Sequence, residues 1–312
     1  MKPAFRPYQT EDDFWRMREF LRQVFLLNDC LERSWHVARL DYARWHTMLN
    51  CAKVRLEDVA FLWEADGQLV AILLPDGGPG EAHLGVHPTL RTLELEEEML
   101  SVAEAHLAEV RPDGSRSLCV WVPAVDTLRQ ELVSRQGYKK GDWPEYQWRR
   151  DLDAPIPDVP LAAGYTIRPV GDGLELLERC YASGLGFHEG DIKVAVENRD
   201  DPTWYRNIQT APLYRRDLDL VAVASDGAVV AFCTVWFDDV TRTACFEPVA
   251  TVPAHQRRGL GKALLTEGLR RLHRMGCTRA FVGGYSPAAN ALYSSVMGPD
   301  HELDEPWVKE WQ

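Results

Sequence analysis

Paired cysteines, a long apolar run and an excess of positive charge are all missing from this chain of 312 residues. Its seven cysteines are scattered singly, with no CxxC pair. That spacing excludes a zinc knuckle or a thioredoxin-like redox motif and reads as reduced, mostly buried thiols. No metal is expected. No stretch approaches the roughly eighteen consecutive apolar residues a membrane-spanning helix needs. The start, Met1-Lys2-Pro3-Ala4-Phe5-Arg6-Pro7, has no apolar segment for a signal peptide, so a cytoplasmic protein is expected, without a membrane partner. The net charge of −12 argues against nucleic acid, which requires a basic face. An acidic surface attracts cationic amines instead. The acidic cluster Glu94 to Glu98 reads as a solvated helix face. What is plentiful is apolar residues, 46% of the chain, enough at this length for two domains.

The sharpest signal is Gln256-Arg257-Arg258-Gly259-Leu260-Gly261-Lys262-Ala263. A strand-like run, Ala244 to Val252, precedes it and ends at Pro253, which cannot donate to a ladder. A helix-like run from Leu260 to Met275 follows, with Leu264, Leu265, Leu269 and Leu272 at helical spacing. Strand, glycine loop and helix form a phosphate cradle. Glycine lets the backbone approach an anion, the first N–H groups of the helix lack internal partners, and Arg257 and Arg258 add positive charge. A Walker loop requires a glycine where Gln256 stands and Ser or Thr where Ala263 stands, so it is excluded. A dinucleotide fingerprint requires a third glycine where Leu264 stands.

The pattern Q/R-x-x-G-x-G/A remains, and Gln256 to Gly261 matches it at every specified position. The chain here resembles the GNAT superfamily of acetyl-CoA-dependent N-acetyltransferases. A second block has the right order and spacing. Arg279 to Gly284 reads as a short strand, and Ser286-Pro287-Ala288-Ala289-Asn290-Ala291-Leu292-Tyr293 as a helix start, with Ser286 as N-cap and Pro287 at its first position. This block looks like the family's N-x-x-A-x-x-L-Y signature. It departs from it at Ser286, where the family has Asn, and at Gly298-Pro299, where the family has Gly-Phe.

The two halves repeat one another at an offset of about 160 residues, a domain-sized duplication. Phe5-Arg6-Pro7 parallels Ile167-Arg168-Pro169. The hairpin around Asp66-Gly67 parallels the one around Asp226-Gly227. Ala82 to Pro88 parallels the run ending at Pro253. Alternating prolines in Asp153 to Pro160 read as a linker, which divides the chain into residues 1–156 and 157–312. The expected fold class is α/β (α+β): two GNAT-like domains, each a mixed, mostly antiparallel sheet flanked by helices. In the first half the loop after Pro88 is Thr89-Leu90-Arg91-Thr92-Leu93-Glu94-Leu95. Both glycines are absent and carboxylates stand where an anion would bind. The first half is therefore expected to keep the fold without an acyl-CoA site.

The resemblance implies the following roles. Backbone groups of Val249, Ala250, Thr251 and Val252 hold the pantetheine arm of acetyl-CoA, in a strand splayed from its neighbour. Gln256, Arg257, Arg258, Gly259, Leu260, Gly261, Lys262 and Ala263 hold the pyrophosphate, although Lys262 reads equally well as a solvent-facing helix residue. Ser286 and Asn290 lie in the second block, beside the cofactor. Tyr293 is the general acid toward the departing thiolate. Glu247 is the candidate base, with a structural carboxylate as the even alternative; Asp238, Asp239 and His188 are weaker candidates. The aromatic stretch Trp35 to His46 reads as a helix packed on the sheet or on the other half. The implied activity is transfer of an acetyl group to a primary amine of a small molecule, by a monomer or homodimer. The alternatives are a non-catalytic acyl-CoA-binding or sensing protein, and a protein lysine or N-terminal acetyltransferase.

Overall fold

The computed structural model describes residues 3–312. The first half forms strands β1 (Ala4–Pro7), β2 (Phe61–Ala65), β3 (Gln68–Leu74), β4 (Glu81–Val86), β5 (Glu109–Val110), β6 (Arg116–Pro123), β7 (Lys139–Lys140) and β8 (Glu145–Asp151), with helices α1 (Glu11–Leu27), α2 (Val37–Tyr42), α3 (Leu56–Val59), α4 (Leu93–His106) and α5 (Thr127–Arg135). The second half adds β9 (Tyr165–Pro169), β10 (Asp219–Ala224), β11 (Val229–Asp238), β12 (Thr243–Thr251), β13 (Arg279–Gly284) and β14 (His301–Trp311), with α6 (Leu174–Phe187), α7 (Ile192–Asp200), α8 (Thr203–Gln209), α9 (Leu260–Arg274) and α10 (Pro287–Met297). None of these helices is long and apolar enough to cross a membrane.

The duplication read from the sequence reappears as strand topology. β1, β2, β3 and β4 pair antiparallel in succession, and β4 then pairs parallel with β6. β9, β10, β11 and β12 do the same, and β12 pairs parallel with β13. Each sheet is thus mixed and mostly antiparallel, and the parallel pair is joined through a crossover helix, α4 in one case and α9 in the other. The Asp-Gly turns differ in detail. Asp66 and Gly67 both have positive φ, 51° and 77°, as a two-residue type I′ turn requires, whereas between β10 and β11 only Gly227 does, at 90°.

The helices follow from apolar periodicity and end chemistry. In α1, Glu11, Asp12 and Asp13 occupy the first turn, where carboxylates suit the helix dipole, and Phe14, Met17, Leu21 and Val24 form the buried face. In α9, Leu264, Leu265, Leu269 and Leu272 are buried, and basic Arg271, His273 and Arg274 close the last turn. The aromatic stretch splits: Trp35 precedes α2, His36 caps it by accepting the Ala38 N–H at 3.1 Å, and residues 43–52 wind as a wider π-type helix. Trp35 reaches the sheet, donating through Nε1 to His83 Nδ1 on β4 at 3.0 Å.

The compact units are not residues 1–156 and 157–312. One runs up to Gln147 and takes in Glu302–Gln312; the other is Trp148–His301. Before the proline segment, the Leu152 N–H donates to the Thr278 carbonyl at 2.8 Å, and Arg150 Nη1 donates to the Val296 carbonyl at 3.1 Å, which ties these residues to the second unit. The end of the chain returns to the first unit, where β14 lies antiparallel to β6 from Asp304↔Pro123 to Trp311↔Arg116. Strand pairing between residues so far apart leaves no local pattern, so composition alone places the division at the prolines.

Candidate functional site

The site of the second unit begins where two parallel strands part. β12 and β13 are paired only at Thr243↔Arg279, Ala244↔Ala280 and Cys245↔Phe281. Past Cys245, both strands continue without that pairing, to Thr251 and to Gly284. On the other side of β12 the register with β11 shifts between Cys233↔Val249 and Val235↔Phe246, so Glu247 and Pro248 together oppose Thr234. Such a bulge re-aims side chains next to it. Glu247 is accordingly exposed on a strand whose preceding four residues are all buried, and its own carbonyl is held by Trp236 Nε1.

The opening is a cleft of about 630 Å³ within the second unit. Its walls bring together Glu247, Val249, Ala250 and Thr251 of β12, Gln256, Arg257, Gly259, Leu260, Gly261 and Lys262 of the loop and α9, and Ser286 and Tyr293 of α10. Gly259 is the N-cap of α9 with φ 79° and ψ 3°, a left-handed conformation that costs glycine nothing. No side chain caps α9 and no acidic residue stands in its first turn. Its first N–H groups are therefore left to whatever enters the cleft, with the positive end of the helix dipole behind them. Arg257 and Lys262 add positive charge to the same wall. Gln256 Nε2 donates to the Thr251 carbonyl at 3.1 Å, fastening the loop to the strand. Ser286 caps α10, accepting the Ala289 N–H at 3.1 Å.

Tyr293 is 7% exposed. Burial first, then the nearby charge of Glu247 and the Cys233 thiol, push its hydroxyl far above the usual phenol range, so it stays protonated and able to donate. Tyr293 packs against Gly284, where an added Cβ would come within 3.0 Å of its ring and within 2.4 Å of Asn290 Oδ1.

Four residues of the sequence reading lie outside the lining. Val252 is buried, in a cluster with Phe232 and Val221, and its N–H is donated to the Val230 carbonyl at 2.9 Å. Arg258 turns away, donating to Tyr165 Oη at 2.8 Å and to the Ala254 carbonyl at 3.2 Å. Ala263 is buried in α9. Asn290 accepts from Trp148 Nε1 at 2.9 Å, which makes it a packing contact of α10. The cleft adds residues that the motifs do not single out, among them Gly186, Phe187, Gly283 and Tyr285. Gly283-Gly284 inside a strand was a legible hint of close backbone approach; Gly186 and Phe187, at the end of α6, carry no local signal. The weaker base candidates fall elsewhere: Asp238 is buried in its turn, accepting from Thr241 at 2.8 Å, and His188 is the C-cap of α6. Among the described residues no group of three or more His, Cys, Asp or Glu is placed to hold a metal ion.

The corresponding place in the first unit is a smaller cleft, of about 440 Å³, crossed by ion pairs of its own side chains. β4 and β6 also part early, after Ala82↔Val120. There Arg129 Nη1 donates to the Leu84 carbonyl at 2.9 Å, while its Nε and Nη2 each meet Glu96 at 3.0 Å. Arg91 completes the network, bonding both Glu96 and Asp126. Glu96 is thus no part of a solvated face: it is fully buried. Burial pushes its carboxyl up, but the charge and hydrogen bonds of Arg129 and those of Arg91 prevail and hold it down at about 2.

A doubled mixed sheet of this topology, with a glycine loop and an uncapped helix at one splayed pair, defines an N-acetyltransferase-like fold. Residues 180–298 match the model of the acetyltransferase (GNAT) family. The chain as a whole has the fold of tandem GNAT proteins. It is similar to a tandem GNAT protein from the clavulanic acid biosynthesis pathway, with a TM-score of 0.64 at 16% identity over 99% of this chain and 98% of that one. It is similar also to a GCN5-related N-acetyltransferase from Sphaerobacter thermophilus, with a TM-score of 0.62 at 20% identity over 99% and 95%. A GNAT-family acetyltransferase from Colwellia psychrerythraea gives 0.60 at 12% identity over 98% and 100%. At these identities the likeness is one of fold. No curated protein matches the chain.

Proposed function

We propose that the second unit transfers an acetyl group from acetyl-CoA to a primary amine of a small molecule. The observation that carries this reading is the meeting of three features in one cleft: parted strand edges, an uncapped helix N-terminus, and a buried Tyr293 beside an exposed Glu247. Each fits one part of the ligand. The strand edge of Val249, Ala250 and Thr251 offers backbone groups to the amides of a pantetheine arm. The N–H groups at Leu260, Gly261 and Lys262, with Arg257, suit a pyrophosphate. Acetyl-CoA supplies the activated thioester.

The residues of this chain then handle protons and position. The cleft holds the amine beside the thioester carbonyl, which converts an encounter into an oriented pair. Glu247 accepts a proton from the acceptor ammonium, directly or through water. The amine nitrogen bonds to the carbonyl carbon as the carbon–sulfur bond breaks. Tyr293 gives its proton to the departing sulfur and regains one from solvent. Proton transfers of this kind contribute about a hundredfold each or more.

The test is a comparison of Tyr293→Phe and Glu247→Gln with the parent protein, by thiol release across an amine panel and by calorimetric titration with acetyl-CoA. Both substitutions are expected to lower kcat about a hundredfold while acetyl-CoA affinity stays within about twofold. Normal turnover in both removes the assigned roles. Binding without thiol release for any amine supports a sensor, turnover of peptides alone moves the acceptor to proteins, and no binding at all sinks the acyl-CoA reading.

A further inference from the structure

The first unit contains a small site of its own, beyond the point where β4 and β6 part. It is a cavity of about 30 Å³. Three rings form one side: Trp35 and His83 lie 4.7 Å apart, and His83 and Trp121 are 6.1 Å apart with planes only 7° from parallel. Since His83 Nδ1 accepts from Trp35, its ring proton sits on Nε2. Burial, then Arg39 and Arg129, push His83 well below its ordinary value, so the imidazole is neutral. Two carboxyl groups, Glu32 and Asp304, and two arginines, Arg33 and Arg129, also line the cavity.

Asp304 is the anomaly. It is 6% exposed, and its Oδ1 is buried without a hydrogen-bond partner. A buried acceptor left unpaired is costly to the fold. The cations of this region are directed elsewhere. Arg39 binds Glu32 at 3.3 Å and Glu145 at 2.6 Å. Arg129 is spent on Glu96 and the Leu84 carbonyl, and Arg33 lies 3.7 Å from Glu302. A small space with an unpaired carboxyl oxygen, a second carboxyl group and two indoles suits one kind of guest. An anion would find Arg33 and Arg129 already paired with Glu302 and Glu96, and an apolar guest would leave Oδ1 unpaired. About 30 Å³ accommodates roughly two water molecules or one ammonium group.

We propose that this cavity binds the ammonium group of a small primary amine, with Asp304 Oδ1 accepting its hydrogen bond, Glu32 adding negative charge, and Trp35 and Trp121 presenting their rings to the cation. The site lies wholly in the first unit and does not depend on acetyl-CoA. Binding has a proton signature. Without a cation, burial first, with Glu145 and Glu32 raising and Arg39 and Arg129 lowering, leaves the Asp304 carboxyl pushed up to about 8. A bound ammonium favours the carboxylate, so a proton leaves at neutral pH.

The experiment is calorimetry on the full chain at pH 7 and constant ionic strength, with methylammonium chloride as the probe, in two buffers of different ionisation enthalpy. Saturable binding with proton release is expected for methylammonium and none for tetramethylammonium, which is too large. Asp304→Asn should weaken methylammonium binding about tenfold or more and abolish the proton release. Glu32→Gln is the second variant should Asp304→Asn fail to fold, and it should weaken binding as well. Gly261→Glu, in the second unit, should leave it intact. A response shared by sodium and tetramethylammonium, meaning a cavity that holds only water, overturns the proposal. So does undiminished binding in both carboxyl variants, or binding lost in Gly261→Glu, which would put the amine in the other cleft.

Discussion

Two helices stand at the same topological place in the two units and begin differently. α4 opens after Thr92, whose Oγ1 accepts the Leu95 N–H at 3.2 Å, and Glu94 and Glu96 fill its first turn. α9 opens after Gly259, with no side-chain cap and no acidic residue. The first helix satisfies its own end; a cap of that kind stabilises by about 1 kcal/mol. The second forgoes that stability and leaves donors and positive dipole facing a cleft. The strands repeat the contrast. The parted edge of β4 meets Arg129 at Leu84, in a cleft of about 440 Å³, whereas Val249, Ala250 and Thr251 on the parted edge of β12 line a larger one, of about 630 Å³. One fold thus shows what a ligand site needs beyond topology: polar groups left unsatisfied by the protein itself.

The strongest way to break the comparison is to give α9 the acid of α4. Gly261→Glu places a carboxylate where Glu94 stands in the first unit, and an added Cβ there already comes within 2.9 Å of Leu292 Cδ2. Acetyl-CoA affinity should fall at least about a hundredfold by repulsion in a half-enclosed site, measured by calorimetry, with the fold checked by circular dichroism. Unchanged affinity would detach the α9 N-terminus from the proposed cofactor.

Next comes the reverse operation on the first unit. Glu96→Gln leaves Arg129 buried without its partner charge and should destabilise the protein by about 3 kcal/mol, read from urea unfolding, with no change in acetyl-CoA affinity. The pH dependence has a definite sign. A carboxyl held down at about 2 contributes stability above its unfolded value near 4.3 and loses it as pH falls toward the folded value. The parent protein should therefore lose stability more steeply than Glu96→Gln below about pH 4. Parallel acid limbs would show that the network is worth little.

The smallest effect sharpens the boundary of the second site. Asn290→Ala removes the acceptor for Trp148 Nε1 and should cost about 1 kcal/mol in stability while leaving turnover and acetyl-CoA affinity unchanged. A selective loss of affinity would return Asn290 to the cofactor site.

Much of the second unit was legible because its signals are local. Pro253 stopping a strand, the two glycines after Gln256, and Ser286-Pro287 opening a helix all act within a turn or two of themselves, and the structure has β12, α9, β13 and α10 in that order. The hydrogen bonds of Arg258 and Asn290 were not legible, because their partners, Tyr165 and Trp148, stand far away in the chain. Glu96 was misread for the same reason. On its own helix it is one acid among several, and only Arg129 makes it a buried ion.

The residues in sequence order determined a duplicated α/β fold, the half with the glycine loop, and Tyr293 as a candidate donor, since turns, caps and periodicity are short-range properties of the chain. Only the tertiary structure decided which strand ends part, which half crosses its cleft with its own arginines, where the last strand returns, and that Asp304 faces a cavity unpaired. Those are outcomes of pairing and burial between residues far apart in sequence, and no local pattern encodes them.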